Sequence, residues 1–107
     1  MDPYILMLGC FDTKGEVFSY LRDCLLAEGE RVVTMNTGIL GTTDLFPVDI
    51  EANMVAEEGG QTLTLLQQAN DRGHAVDVMG KGAARIMSML VSEGGIKAAV
   101  EIGRAHV

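Results

Sequence analysis

The sequence predicts an α/β fold, a Rossmann-like three-layer domain on a parallel sheet, with three strands in the order 2-1-3 and the sheet left incomplete. Three observations carry this reading. Tyr4–Leu8 and Ile96–Val100 are short apolar runs of the kind buried on both faces of a parallel sheet. The segments between the strands repeat their apolar residues at helical spacing. A strand, helix, strand order in one sheet also requires a right-handed parallel crossover.

Taken in order, Pro3 and Gly9 bound the first strand, and a helix follows over Gly15–Glu28. Its apolar residues Val17, Tyr20, Leu21, Cys24 and Leu25 recur at three- and four-residue steps, and Gly29 stops it. Arg31–Asn36 is the second strand, with Val32, Val33 and Met35 set among polar residues. Thr37–Asp49 carries Gly38, Gly41, Thr42, Thr43 and Pro47, a composition that makes a long loop at the carboxyl end of that strand. Ligands of open α/β sheets bind at that end.

Glu51–Glu57 and Thr62–Ala69 predict two short helices around Gly59-Gly60, and Arg72–Glu93 predicts a longer one. The long helix has Asp71 as its cap, Gly94-Gly95 as its stop, and a stripe of Val76, Met79, Ala83, Ile86, Leu90 and Val91. Gly80 and Gly82 interrupt it, so either the helix kinks there or another backbone packs close. Ile96–Val100 is the third strand. The tail Glu101-Ile102-Gly103-Arg104-Ala105-His106-Val107 is what a common short-read sequencing adapter encodes in frame, so the native fold is expected to end at Val100.

Composition narrows the function. The 107 residues carry a formal charge of −7, which repels polyanions and excludes non-specific nucleic-acid binding. A small phosphate ligand remains compatible, because backbone N–H groups and one or two cations suffice to hold it. The opening run through Gly9 has no basic leader and is too short for a signal peptide or a membrane span, so a cytoplasmic protein without membrane contact is expected. Cys10 and Cys24 lack the close pairing of a metal or redox motif, and two buried reduced thiols with no metal site are expected.

The strongest local feature is Gly9-Cys10-Phe11-Asp12-Thr13-Lys14-Gly15-Glu16, at the turn from the first strand into the first helix. A helix N-terminus there offers unpaired N–H groups and a positive dipole end to a phosphate, and Lys14 adds a charge. The segment matches neither the Walker loop nor the dinucleotide fingerprint. Thr13 to Glu16 equally satisfies a Thr-x-x-Glu capping box, in which both side chains only serve backbone donors. Gly80-Lys81-Gly82 lies within a periodic helix and reads as packing, while His74 reads as solvated and the seven methionines as core fillers.

The Asp12-Thr13-Lys14-Gly15-Glu16 run, Tyr20-Leu21-Arg22, Thr37-Gly38-Ile39-Leu40-Gly41 and Asp71-Arg72-Gly73-His74 through Gly82-Ala83-Ala84 occur in one order. Together they resemble the N-terminal ATP-binding domain of the tomato mosaic virus resistance protein family and its bacterial relatives. The resemblance implies a nucleotide-binding domain fragment with ATP, with or without Mg, as cofactor. It implies contacts from Asp12, Thr13, Lys14 and Arg72, to which the ends of the first two strands add Gly9, Cys10, Asn36 and Thr37. Where that family carries an acid after the second strand, this chain has Asn36. That family also continues its third strand into a glycine-rich loop, a further phosphate cradle. The alternative class is a protein-interaction or inhibitor module whose nucleotide only stabilises the fold, and a full-length form admits homo-oligomerisation.

Overall fold

A computed structural model describes residues 2–102. The elements run β1 (Tyr4–Gly9), α1 (Phe11–Ala27), β2 (Val32–Asn36), α2 (Ala52–Glu58), α3 (Leu63–Ala69), α4 (Arg72–Ser92) and β3 (Ile96–Ile102). The three strands form one parallel sheet in the order β2-β1-β3, parallel as the alternation of apolar runs and helices implies and in the order expected of a doubly wound sheet. β1 is central and buried along its whole length. Its side chains alternate between two cores: Tyr4, Leu6 and Leu8 join Met35 and the apolar residues of α2, α3 and α4, whereas Met7 joins Phe11, Phe18 and Phe46 on the other face. Helices therefore cover both faces.

α1 departs from expectation in two ways. It begins at Phe11 with a kink at Lys14, whose φ of −119° and ψ of 19° are non-helical, so a single turn precedes the helix expected from Gly15. The extra turn forms because Asn36 Oδ1 accepts from Phe11 N and Cys10 O accepts from Lys14 N. The Thr13–Glu16 capping box is not what starts the helix, since the Thr13 hydroxyl faces Cys10 O. The buried stripe is also Phe11, Gly15 and Phe18, with Leu21 beside it, while Val17, Tyr20 and Cys24 are exposed. The helix carries two apolar stripes sharing Leu21, and the larger Phe11 and Phe18, which meet Phe46 and each other edge to face, take the core. Both cysteines are thus exposed instead of buried, and no disulfide joins them.

α4 is continuous through Gly80 and Gly82. Gly82 explains itself by close approach: a Cβ there would lie 1.8 Å from Val55 O on α2. Gly80 faces open space. Met79, Ala83 and Ile86 are buried as the stripe predicted, but Ala75 and Val78 join them and Val76 and Val91 are exposed. At the other end, β3 runs two residues past the expected limit at Val100. Glu101 and Ile102 pair with Leu8 and Gly9, and Ile102 packs against the Phe11–Phe18 cluster, which holds the strand in the sheet. Positions 103–107, including Arg104 and His106, lie outside the described residues. Among the described residues, no helix is long and apolar enough to cross a membrane.

The 37–49 loop is tied along the outer side of β2. Thr34 N donates to Asp49 Oδ2 (2.9 Å), Asn36 N donates to Ile50 O (2.9 Å), and Ile50 N donates to Thr34 O (2.9 Å). Met35 and Ile50 form a parallel bridge. Every outward donor of the last part of β2 is thereby satisfied, as buried backbone groups must be.

Candidate functional site

β1 and β2 end side by side, and the chain leaving each strand enters the same crevice. Thr37 N donates to Gly9 O (2.8 Å), which fixes the two exits to one another. The α3–α4 junction closes the crevice from the opposite side, leaving a cavity of about 380 Å³. Cys10, Asp12, Thr13, Thr37 and Arg72 all line it, so five expected positions from three separate segments converge on one space. Its wall is largely apolar, made by Ile39, Leu40, Leu66, Ala75, Val76 and Met79, with Gln67, Asn70 and Asp71 at its polar end. An apolar hollow with a few convergent polar groups is the usual build of a small-molecule site.

Two contacts hold the start of the loop over this cavity. Leu40 N donates to Asp12 Oδ2 (3.1 Å), and Gln67 Nε2 donates to Ile39 O (2.6 Å). The other Asp12 oxygen, Oδ1, is buried without a hydrogen-bond partner, and a Cβ at Gly38 would lie 2.3 Å from it, so a larger residue there would have to displace the Asp12 carboxylate. Asp71 caps α4 by accepting from His74 N (3.0 Å). Arg72, next along, is exposed and makes no ion pair among the described residues.

Three of the expected positions do not reach the cavity. Asn36 is fully buried, and all four of its hydrogen-bonding sites are used inside the protein. Its Oδ1 accepts from Phe11 N (3.2 Å) and Gly38 N (2.9 Å), and its Nδ2 donates to Gly41 O (2.9 Å) and Glu51 Oε1 (3.1 Å). It is a clamp joining β2, α1, the loop and α2. Gly9 is a packing glycine, since a Cβ there would lie 2.3 Å from the Phe18 ring. Lys14, beyond the kink, lines a neighbouring open cleft of about 800 Å³ with Thr42, Thr43, Asp44 and Leu45. Asp12 and Thr13 line both clefts, so Lys14 and Arg72 lie on opposite sides of that pair.

The amide donors at the start of α1 are also largely engaged. Phe11 N serves Asn36, and Thr13 N (3.3 Å) and Lys14 N (2.9 Å) both donate to Cys10 O. The expected phosphate cradle of N–H groups at this turn is therefore mostly filled from within, and the cations carry more of any anion contact.

Glu51 is the second clamp. It accepts from the Thr42 hydroxyl, Asn36 Nδ2 and Ala52 N, tying the loop to the start of α2. Burial acts to raise its pKa, but the hydrogen bonds from Thr42, Asn36 and Ala52 outweigh burial and hold the carboxyl below its ordinary value. Sequence reasoning missed Glu51, Gln67, Leu66 and Met79 as parts of this region. Glu51, Gln67 and Leu66 left no periodic or motif signal, while Met79 read as core, which it also is, and Leu66 joins the same core. Among the described residues no group of three or more His, Cys, Asp or Glu is placed to hold a metal ion.

Comparison with known proteins corrects the expected kinship. The profile described as "Uncharacterised protein family (UPF0261) N-terminal domain" matches residues 3–106. A UPF0261 protein of Clostridium tetani is 37% identical over 103 residues, covering 96% of this chain and 25% of that protein. One from Mesorhizobium japonicum is 39% identical over 101 residues, covering 92% of this chain and 24% of its own length. One from Rhizobium meliloti is 36% identical over 83 residues, or 78% of this chain and 20% of the relative. The chain thus spans about a quarter of the length of the curated relatives it matches. No solved structure matches it. The resemblance to the tomato mosaic virus resistance protein family gives way to these bacterial matches, and the chain belongs to the UPF0261 family, to whose N-terminal domain it corresponds.

Proposed function

We propose that the cavity at the carboxyl ends of β1 and β2 binds a nucleotide, with ATP as the ligand to test first. The apolar wall of Leu40, Leu66, Val76 and Met79 suits a base and ribose, and Arg72 is a cation without an ion pair at the polar end. Phosphates directed over Asp12 and Thr13 would meet Lys14 in the adjoining cleft. The observation that carries the reading is the convergence of Cys10, Asp12, Thr13, Thr37 and Arg72 from three segments on one cavity. Mg would enter with the phosphates, the cavity wall supplying no ligand cluster of its own. Exposed cysteines outside any disulfide fit a reducing, cytoplasmic setting.

Calorimetric titration with ATP, ADP and adenosine tests this. A charge-assisted contact is typically worth about 1.5–3 kcal/mol, so Arg72→Ala should weaken ATP by roughly ten- to a hundredfold and leave adenosine unchanged. Lys14→Ala should act in the same direction on ATP alone. Unchanged ATP affinity in both variants defeats the nucleotide reading. A second reading, a protein-interaction surface, draws on the exposure of Leu40 (79%) and Val76 (66%) at the lip of this cavity. It predicts nucleotide binding without turnover, and loss of partner binding in Val76→Asp.

A further inference from the structure

We propose that the outer edge of β3 is a strand-pairing site, occupied in the longer proteins of this family by a parallel β-strand from the segment that follows the matched N-terminal quarter. The inference is independent of the nucleotide reading.

The two edges of the sheet are treated differently. On the last part of β2 the outward groups of Thr34 and the Asn36 N–H are closed by Asp49 and by the bridge to Ile50. On β3 nothing comparable is present among the described residues. Which groups point outward follows from the ladder. Ile5 N bonds Arg31 O before β2, whereas Tyr4 N bonds Gly95 O before β3, so even-numbered residues of β1 face β3. With Leu6 paired to Ala99 and Leu8 to Glu101, the β3 groups that meet β1 belong to Ala98, Val100 and Ile102. Ala99 and Glu101 therefore direct their N–H and C=O away from the sheet, and no other element bonds them among the described residues.

The side chains agree with the backbone. β3 reads IKAAVEI, the composition of an interior parallel strand, yet none of its residues is fully buried, in contrast to β1. Of the usual guards of an exposed edge, proline is absent and the one lysine, Lys97, is held by Glu30 at 2.7 Å, which leaves Glu101 as the single charge on the strand without an ion pair among the described residues. An open apolar edge of this kind is a template for another strand. The crossover from β2 to β3 has already carried the chain past β1 to this side, so a further right-handed crossover in the same direction lays the next strand parallel beside β3. The relatives have the chain to supply it, since about three-quarters of their length lies outside the match. A second copy related by a two-fold axis would instead pair antiparallel.

Amide exchange separates these outcomes. In the present chain, the amides of Ala99 and Glu101 should exchange at least about 100-fold faster than those of Val100 and Ile102. In the full-length C. tetani relative, the amides aligned with all four positions should be protected alike at every protein concentration. Fast exchange of the two aligned outward amides in the full-length protein overturns the proposal. So does protection that vanishes on dilution, which assigns the edge to a second copy. As a check on pairing itself, Ala99→Pro should leave the present chain folded, because that N–H makes no ladder bond. Proline at the aligned position of the full-length relative should restore fast exchange at the position aligned with Glu101. Full protection in that variant also overturns the assignment.

Discussion

Replacing Asn36 by Asp is the sharpest test of how the crevice is held. The substitution keeps the shape and the acceptor for Phe11 N and Gly38 N, but sets a second oxygen where Nδ2 now lies 2.9 Å from Gly41 O and 3.1 Å from Glu51 Oε1. Two carboxylates at that separation repel by on the order of 5 kcal/mol at an effective dielectric of about 20. The pair has an escape, which is to bind one proton. At pH 7 that costs about 4 kcal/mol against an ordinary carboxyl pKa near 4, so the proton caps the penalty. Losing the donor to Gly41 O adds about 1 kcal/mol unless the bound proton replaces it. The expected cost is therefore about 4 kcal/mol at pH 7, a large share of the stability of a domain this size.

The sign with pH follows from linkage. The folded variant holds one more proton than the unfolded chain between roughly pH 5 and 7, so its stability relative to wild type rises as pH falls, by about 1.4 kcal/mol per unit. Urea unfolding followed by far-UV circular dichroism at pH 7 and pH 5.5 measures both quantities. A deficit under about 1 kcal/mol at pH 7, or one that grows on acidification, would refute the clamp as described.

Three further outcomes follow from the same packing. Gly82→Ala drives a Cβ to within 1.8 Å of Val55 O and should destabilise by roughly 3 kcal/mol or more, whereas Gly80→Ala, with nothing within 4 Å, should stabilise by up to about 1 kcal/mol; paired thermal melts check both. Because the Glu51 pKa is depressed in the folded chain, its stabilising share is present above the ordinary glutamate value and is lost as pH falls through the folded value. Thr42→Val removes one of the hydrogen bonds responsible, so the Glu51 carboxyl should titrate at higher pH in that variant, as seen by NMR. Truncating the fully buried Phe18 to Ala should cost about 3–5 kcal/mol, read by urea unfolding, since it empties the centre of the α1-side core.

The order of elements was legible because it rests on local rules. Glycine beyond the last helical residue, asparagine or aspartate at a cap and an unbroken apolar run act within a few residues of themselves, and Asp71, Gly29 and Gly94 stand where those rules place them. The parallel pairing followed from crossover handedness, a consequence of chain chirality, and the 2-1-3 order is the simplest beginning of a doubly wound sheet. Five of the eight site positions expected from sequence face the crevice, because the carboxyl ends of β1 and β2 are fixed once the strands are, but the other residues that line it were not among them.

What sequence left undecided were choices between surfaces of equal local merit. α1 offers two apolar stripes, and only the space beneath Phe46 selects Phe11 and Phe18 over Val17 and Tyr20. Asn36 looked like a ligand contact at a strand end, and its role as a clamp depends on Gly41 and Glu51, which only the folded loop brings to its amide. Lys14 and Arg72 both read as cations for one anion, yet the kink at Lys14 turns the lysine into a separate cleft. By itself, then, the sequence determined the α/β order, the parallel sheet and the end of the sheet where a site would lie, since those depend on propensity, periodicity and handedness. Which face of each helix is buried, which polar groups are consumed in holding the loop, and which edge of the sheet stays open were decided by tertiary contacts, because they depend on groups far apart in the chain competing for the same space and the same hydrogen bonds.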